Sequence, residues 1–169
     1  MSESAFQKLY EATNKSLWAY IFKMVNDNAL TDDVFQESYL RLLHADVSGL
    51  NEAQIKSYIF STATNLVRDH WRKEKRERNW FEKEPDLELP AHQGFDIHVG
   101  YDVNDAFQKL SAQHRSLLWL AYVEEYEHKE IAHMLTLNEK SIRVLLFRAK
   151  KKLIEVLKHL GIEQEVNNE

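Results

Sequence analysis

Tyr126-Glu-His-Lys-Glu-Ile-Ala-His-Met-Leu-Thr-Leu-Asn-Glu-Lys-Ser-Ile-Arg-Val-Leu-Leu-Phe-Arg-Ala-Lys-Lys-Lys-Leu153 decides the fold class. A short helix over Lys129 to Leu135 is expected, then a tight polar turn, then a second helix from about Asn138 that ends in a basic run. Ile131, Ala132 and Leu135 face the hinge from the first helix. Ile142, Leu146, Ala149 and Leu153 recur at three- and four-residue spacing on the second, so both helices carry an apolar stripe toward a common core. Asn138 suits the N-cap. Two short helices joined in this way form a helix-turn-helix, whose second helix can lie in a DNA major groove. An ordinary helical hairpin inside a bundle explains the same spacing.

The rest of the chain is also helical by pattern. Only 4 Gly and 2 Pro occur in 169 residues, against 44% hydrophobic residues, which favours long helices over a turn-rich β fold. Phe6, Leu9, Tyr10, Leu17, Tyr20, Ile21 and Met24 approximate one apolar face, and residues 26–29 break it. Thr31 reads as the next N-cap, with Asp32 and Asp33 in the first turn, where the helix dipole favours anions. Asn51 with Gln54 resembles a capping box. The helix it opens carries Ile55, Tyr58, Ile59, Ala63, Leu66 and Val67 into a basic segment. Residues 82–102 hold both prolines and several acids with weak periodicity, and read as a flexible tether. The expected organisation is all-α: two small helical domains, residues 1–80 and 103–169, joined by a linker over 81–102.

The chain has no Cys, which excludes disulfides and thiolate metal sites. No membrane span or signal peptide is read from it, so a cytoplasmic location is expected. His128/His133 and His92/His98 lack the i, i+4 spacing of a two-histidine metal face, and no phosphate-binding glycine loop or nucleophile elbow occurs. No metal, cofactor or catalytic residue is therefore expected, and the chain is not read as an enzyme. Net charge is −5, yet it is unevenly placed. Residues 68–78 hold six Lys or Arg against three acids, and residues 138–160 hold seven against two. Local fields, more than net charge, govern phosphate binding.

Three further stretches then align with one family. They are Thr31-Asp-Asp-Val-Phe-Gln-Glu-Ser-Tyr-Leu-Arg-Leu42, Tyr58-Ile-Phe-Ser-Thr-Ala-Thr-Asn-Leu-Val-Arg-Asp-His-Trp-Arg-Lys73 and Leu110-Ser-Ala-Gln-His-Arg-Ser-Leu-Leu-Trp-Leu120, the last leading into Glu130-Ile-Ala and Arg148-Ala-Lys-Lys-Lys-Leu153. In that order the chain resembles an extracytoplasmic-function (ECF) type sigma factor of the sigma-70 family, over about residues 5–78 and 103–158. The resemblance implies a first domain that docks on RNA polymerase core and recognises the promoter −10 element as the duplex opens. It implies a second domain that reads the −35 element, and no small-molecule catalysis.

Residue by residue, the resemblance makes Asp32, Asp33, Gln36 and Glu37 the polymerase-binding set, although helix-start chemistry alone explains the two aspartates. Asn65, Arg68, Arg72, Lys73 and Arg76, with Lys75, suit a phosphate backbone at the −10 element. Trp71 and Trp80 suit stacking on an unpaired base, and core packing explains Trp71 equally well. The loop from His44 to Gln54 matches the family's pocket for a flipped −10 base. Ser61 and Thr64 stand where many members carry arginine, and Leu30 where many carry an acid.

The helix-turn-helix departs further. Thr136 replaces the usual turn glycine, Lys140 a small residue, and Glu127 the usual Ser or Thr cap. Lys140, Ser141, Arg143, Arg148, Lys150 and Lys152 suit −35 DNA or phosphate contact. Val144, Leu145 and Phe147 are expected to point outward as a possible protein interface, for an anti-sigma factor or a separate DNA-targeting protein; a wider buried stripe is the other reading. Two other functions fit parts of the pattern: a helix-turn-helix regulator without polymerase docking, and a helical protein-binding adaptor.

Overall fold

The computed structural model describes residues 2–81 and 103–161, and these contain seven helices and no strand. Helix α1 spans Glu3–Val25, α2 Asn28–His44, α3 Glu52–Phe81, α4 Val103–Gln108, α5 Ala112–Tyr122, α6 His128–Leu135 and α7 Glu139–His159. The linker read over 81–102 lies outside the described residues, apart from the helical Phe81.

Local chemistry accounts for most boundaries. The Ser2 side chain accepts from Ala5 N–H at 3.3 Å and starts α1. Asn26 ends it in the left-handed region at φ 52°, a conformation asparagine tolerates better than most residues. Asn51 and Gln54 cap α3 reciprocally, each side chain accepting from the other's backbone N–H at 2.9 Å. Ser111 and Asn138 cap α5 and α7.

One expected cap is displaced. Asp27, not Thr31, starts α2: its carboxylate accepts from Leu30 N–H at 2.7 Å. Thr31 is fully buried one turn inside, with its hydroxyl donating to the Asp27 carbonyl at 2.6 Å. Asp32 and Asp33 therefore lie beyond the first turn and owe little to the helix dipole.

Two groups of helices, α1–α3 and α4–α7, are the two helical domains. They do not stand apart as two strung lobes. Leu17, Tyr20 and Ile21 of α1, Leu42 of α2 and Ile59, Phe60 and Ala63 of α3 belong to the same apolar cluster as Leu117, Leu120, Ile131, Leu135 and Ile142 from the second group. A smaller cluster, Leu110, Leu118 and Ala149, closes α5 onto α7. Buried hydroxyls are paired where the first group packs: Thr13 with Tyr39 and Tyr20 with Thr64, each at 2.7 Å. Burial raises the pKa of both tyrosines, so each hydroxyl keeps its proton for that bond.

Candidate nucleic-acid interface

The helix-turn-helix forms as expected, with α6 beginning at His128. Glu127 N–H donates to the Glu130 carboxylate at 2.9 Å, the half of a capping box that depends on the residue at 130 and not on a Ser or Thr at 127. Thr136 takes the left-handed conformation at φ 53°, and Leu137 N–H returns to the Ala132 carbonyl at 2.8 Å. The turn keeps the geometry that glycine would provide, at the cost of holding a β-branched residue where it is strained.

On α7, Ile142, Leu146 and Ala149 are buried and Lys140, Ser141, Arg143, Arg148, Lys150 and Lys152 are exposed. Val144 is 50% and Phe147 67% exposed. Leu145 departs from the outward expectation: it is half-buried and packs on the main core, so the buried stripe is one residue wider there. Lys150 Nζ sits 4.4 Å from the centre of the Tyr122 ring, and Lys152 pairs with Glu155 at 3.5 Å.

The basic part of α3 divides into two faces. Asn65, Arg72, Lys73, Lys75 and Arg76 are exposed. Arg68 and Trp71 are half-buried and turn toward the second domain. Arg68 Nη2 donates to the Leu135 carbonyl at 2.6 Å, and burial lowers the pKa of its guanidinium. Trp71 packs on the core and, with Arg68, lines a cleft between the domains. Thr64 is buried and bonded to Tyr20, so that position faces inward; Ser61 is half-buried. Trp80 contributes no described side chain.

The loop after α2 is pinned at two points. Val47 is buried, and Asp46 accepts from Ser48 N–H at 3.0 Å and from the Ser48 hydroxyl. Those bonds hold the Asp46 carboxyl below its usual pKa. Gly49, at φ 87°, makes the turn that an L side chain resists. On α2, Asp32, Asp33 and Gln36 are exposed and Glu37 is half-buried, so all four share a surface with the exposed Leu40 and Leu43. Asp32 accepts from the Trp18 indole N–H at 2.8 Å, and Glu37 pairs with Arg41 at 2.7 Å. Among the described residues no His, Asp and Glu cluster could hold a metal ion, and no helix is long and apolar enough to cross a membrane.

Arg115 and Glu124 were not legible as functional residues. Arg115 donates to the Gln108, Leu110 and Met24 carbonyls at 2.9, 2.8 and 2.7 Å, joining α5 to the end of α1. Glu124, whose side chain is 4% exposed, pairs with Lys56 of α3 at 3.2 Å. Arg115 stands among Gln113, His114 and Ser116 in the polar first half of α5, so the sequence gives no sign of this role.

Two family models match this order of elements: Sigma-70 region 2 over residues 9–77 and Sigma-70, region 4 over residues 102–153. Together they cover more than two thirds of the chain. It belongs to the sigma-70 family and is of the ECF type. Its relatives include the ECF RNA polymerase sigma factor SigM of Bacillus subtilis, 24% identical over 164 residues that span 94% of this chain and 98% of SigM. ECF RNA polymerase sigma factor SigL of Mycobacterium tuberculosis is 28% identical over 167 residues, 95% of this chain and 94% of SigL. The sigma factor RpoE from Bartonella quintana, solved in complex with the anti-sigma factor NepR, shares the fold at a TM-score of 0.69 and 19% identity, covering 91% of this chain and 97% of RpoE. Sigma region 2 thus corresponds to α1–α3 and region 4 to α4–α7.

Proposed function

We propose that this chain directs RNA polymerase core to promoters and starts transcription without catalysing a small-molecule reaction. The observation that carries this reading is the pair of sigma regions in family order, with an acidic-apolar face on α2 and an exposed basic face on α3. In this reading residues 1–80 dock on polymerase through Asp32, Asp33, Gln36 and Glu37. The same domain holds −10 DNA with Asn65, Arg68, Trp71, Arg72, Lys73 and Arg76. It works in the cytoplasm, where polymerase and promoters are. Run-off transcription with purified core polymerase on a genomic promoter library tests it: start sites that appear only with this chain support the reading, and none at low ionic strength ends it.

For residues 103–169 two roles are supported. Lys140, Ser141, Arg143, Arg148 and Lys152 offer donors to phosphate at a −35 element. Val144 and Phe147 are exposed where base-reading side chains are usual, and they suit a protein partner such as an anti-sigma factor or a DNA-targeting protein. Holoenzyme binding to promoters with a randomised −35 segment separates them. Selection of one −35 sequence at physiological salt favours DNA readout; no selection favours the protein interface.

A further inference from the structure

Two helices of this chain leave stripes of opposite character in water. On α7, Lys140, Val144, Phe147, Lys151, Ile154 and Lys158 follow one another at alternating four- and three-residue steps, so they share one face, and all six are exposed. On α2, Asp33, Gln36, Leu40 and Leu43 keep the same rhythm and are exposed too, with the half-buried Glu37 at the edge. Leu40, Leu43, Val144 and Phe147 are each at least 50% exposed. Alternating steps of three and four are the spacing of a seam between two helices packed at a small angle.

The two stripes complement each other. The charges on the α7 stripe are all cations and those on the α2 stripe are both acids. Phosphate would satisfy the lysines but gives Val144, Phe147 and Ile154 nothing to pack on, whereas a helix that is acidic and apolar on one face serves both. The order of residues also selects a direction. With the helices antiparallel and Leu40 against Phe147, three residues onward on α2 and three back on α7 bring Leu43 to Val144. Four residues the other way bring Gln36 to Lys151, with Glu37 beside it and Asp33 between the levels of Lys151 and Lys158. A parallel alignment would set Leu43 on Lys150 instead.

We propose that the partner of the α7 stripe is a second copy of this chain, which lays α2 antiparallel along it. The proposal rests on the protein-interface reading of Val144 and Phe147 above and gives that interface its occupant. The two surfaces are unlike, so the contact is heterologous: a copy that has used its α7 stripe keeps its α2 stripe. A pair of single helices buries less than the roughly 1,200 Å² of a standard interface, so the association is weak and reversible, and its charged part weakens with salt. Asp33 and Glu37 belong to the set read as docking on polymerase, so a copy held through α2 is a stored copy that polymerase core releases by competition.

Sedimentation velocity of the full chain over a concentration series, at low and at high salt, tests it. The weight-average mass is expected to rise to at least about 1.5-fold that of the monomer at low salt and to fall back at high salt. A parent that stays monomeric at every concentration overturns the proposal. Two variants then locate the contact: Leu40→Gln/Leu43→Gln and Val144→Gln/Phe147→Gln, which remove exposed apolar groups, keep every charge and suit a helix. Each variant alone is expected to be monomeric, because every contact it could make lacks one apolar row. Mixed in equal amounts they are expected to form a one-to-one dimer and nothing larger, since one supplies an intact α7 and the other an intact α2. Variants that associate alone as the parent does, or a mixture that stays monomeric, overturn the α2–α7 pairing. Neither polymerase nor DNA is present, so failure here leaves the promoter-directing reading standing, and silent run-off transcription leaves this contact standing.

Discussion

Arg68 and Leu135 meet across the two domains, the guanidinium of one donating to the carbonyl oxygen of the other at 2.6 Å. Arg68 is thus a structural residue of the domain contact as well as a proposed phosphate ligand. Arg72, one turn along α3, is exposed and pairs only weakly with Asp69 at 3.4 Å. The two arginines are therefore expected to behave differently. Arg68→Leu leaves a helix-end carbonyl without its donor and is expected to cost about 1–3 kcal/mol of stability. Arg72→Ala is expected to stay within about 0.5 kcal/mol of the parent. It should also weaken −10 DNA binding across sequences and lower the salt slope by about 1. Urea melts and a salt titration of holoenzyme binding read both; identical behaviour of the two variants would refute the division.

Asp33 gives the cleanest probe of polymerase docking. Asp32 is tied to Trp18 and Glu37 to Arg41, so substitutions there disturb local bonds as well as any partner. Asp33 is exposed on the same face. Asp33→Lys is expected to reduce affinity for core polymerase about tenfold, mostly through the association rate, with the effect fading at high salt. Its melting curve should match the parent. Undiminished affinity at low salt would remove Asp33 from the docking set.

Thr136 holds a left-handed turn that costs an L residue about 1–2 kcal/mol. Thr136→Gly relieves that strain but gives the unfolded chain more freedom, which takes back part of the gain. A net stabilisation of about 1 kcal/mol is expected, seen as a higher urea midpoint at unchanged slope. A lower midpoint would mean that the threonine side chain contributes more than its backbone strain removes.

These residues also show what the sequence made legible. The helix-turn-helix and the Asn51/Gln54 box were readable because each depends on near neighbours at fixed spacing. Thr31 misled because Thr-Asp-Asp resembles a helix start, while Asp27, a residue of equal capping ability four positions earlier, takes that role. Leu145 misled because a helical stripe has no sharp edge. The packing of region 4 on region 2 was not legible at all. Periodicity marks Ile131 and Leu135 as buried but is silent on what buries them, and the partners of Arg68 and Glu124 lie far away in sequence. Exposure of the family-matched residues on α2 and α7 became visible only with the fold.

At Tyr126 the domain contact carries a cost. Its ring packs on Phe60 and lies 5.7 Å from Lys56 Nζ, but its buried hydroxyl oxygen has no hydrogen-bond partner. Burial is also the main reason its pKa is raised, with Glu124 next. Tyr126→Phe keeps the ring and removes the unpaired group, so it is expected to stabilise the chain by about 1 kcal/mol. A loss of stability on thermal melting would show that the hydroxyl has a partner the static structure lacks, such as a bound water.

His114 sets the expected pH dependence. Its folded pKa is depressed, first by burial and then by the charge of Lys152. The unfolded histidine titrates near about 6.5. As pH falls through that value the unfolded chain takes up a proton before the folded chain does, so stability drops until the lower folded pKa is passed and then levels. His114 is half-buried at the start of α5 and feels the charge of Lys152 on α7, so its protonation works against the α5–α7 packing. His114→Gln is expected to lose less stability than the parent between about pH 7 and pH 5. Lys152→Ala, which removes the second cause of the shift, should fall between the two. Parallel stability curves for all three proteins across that window would mean that another group carries the slope.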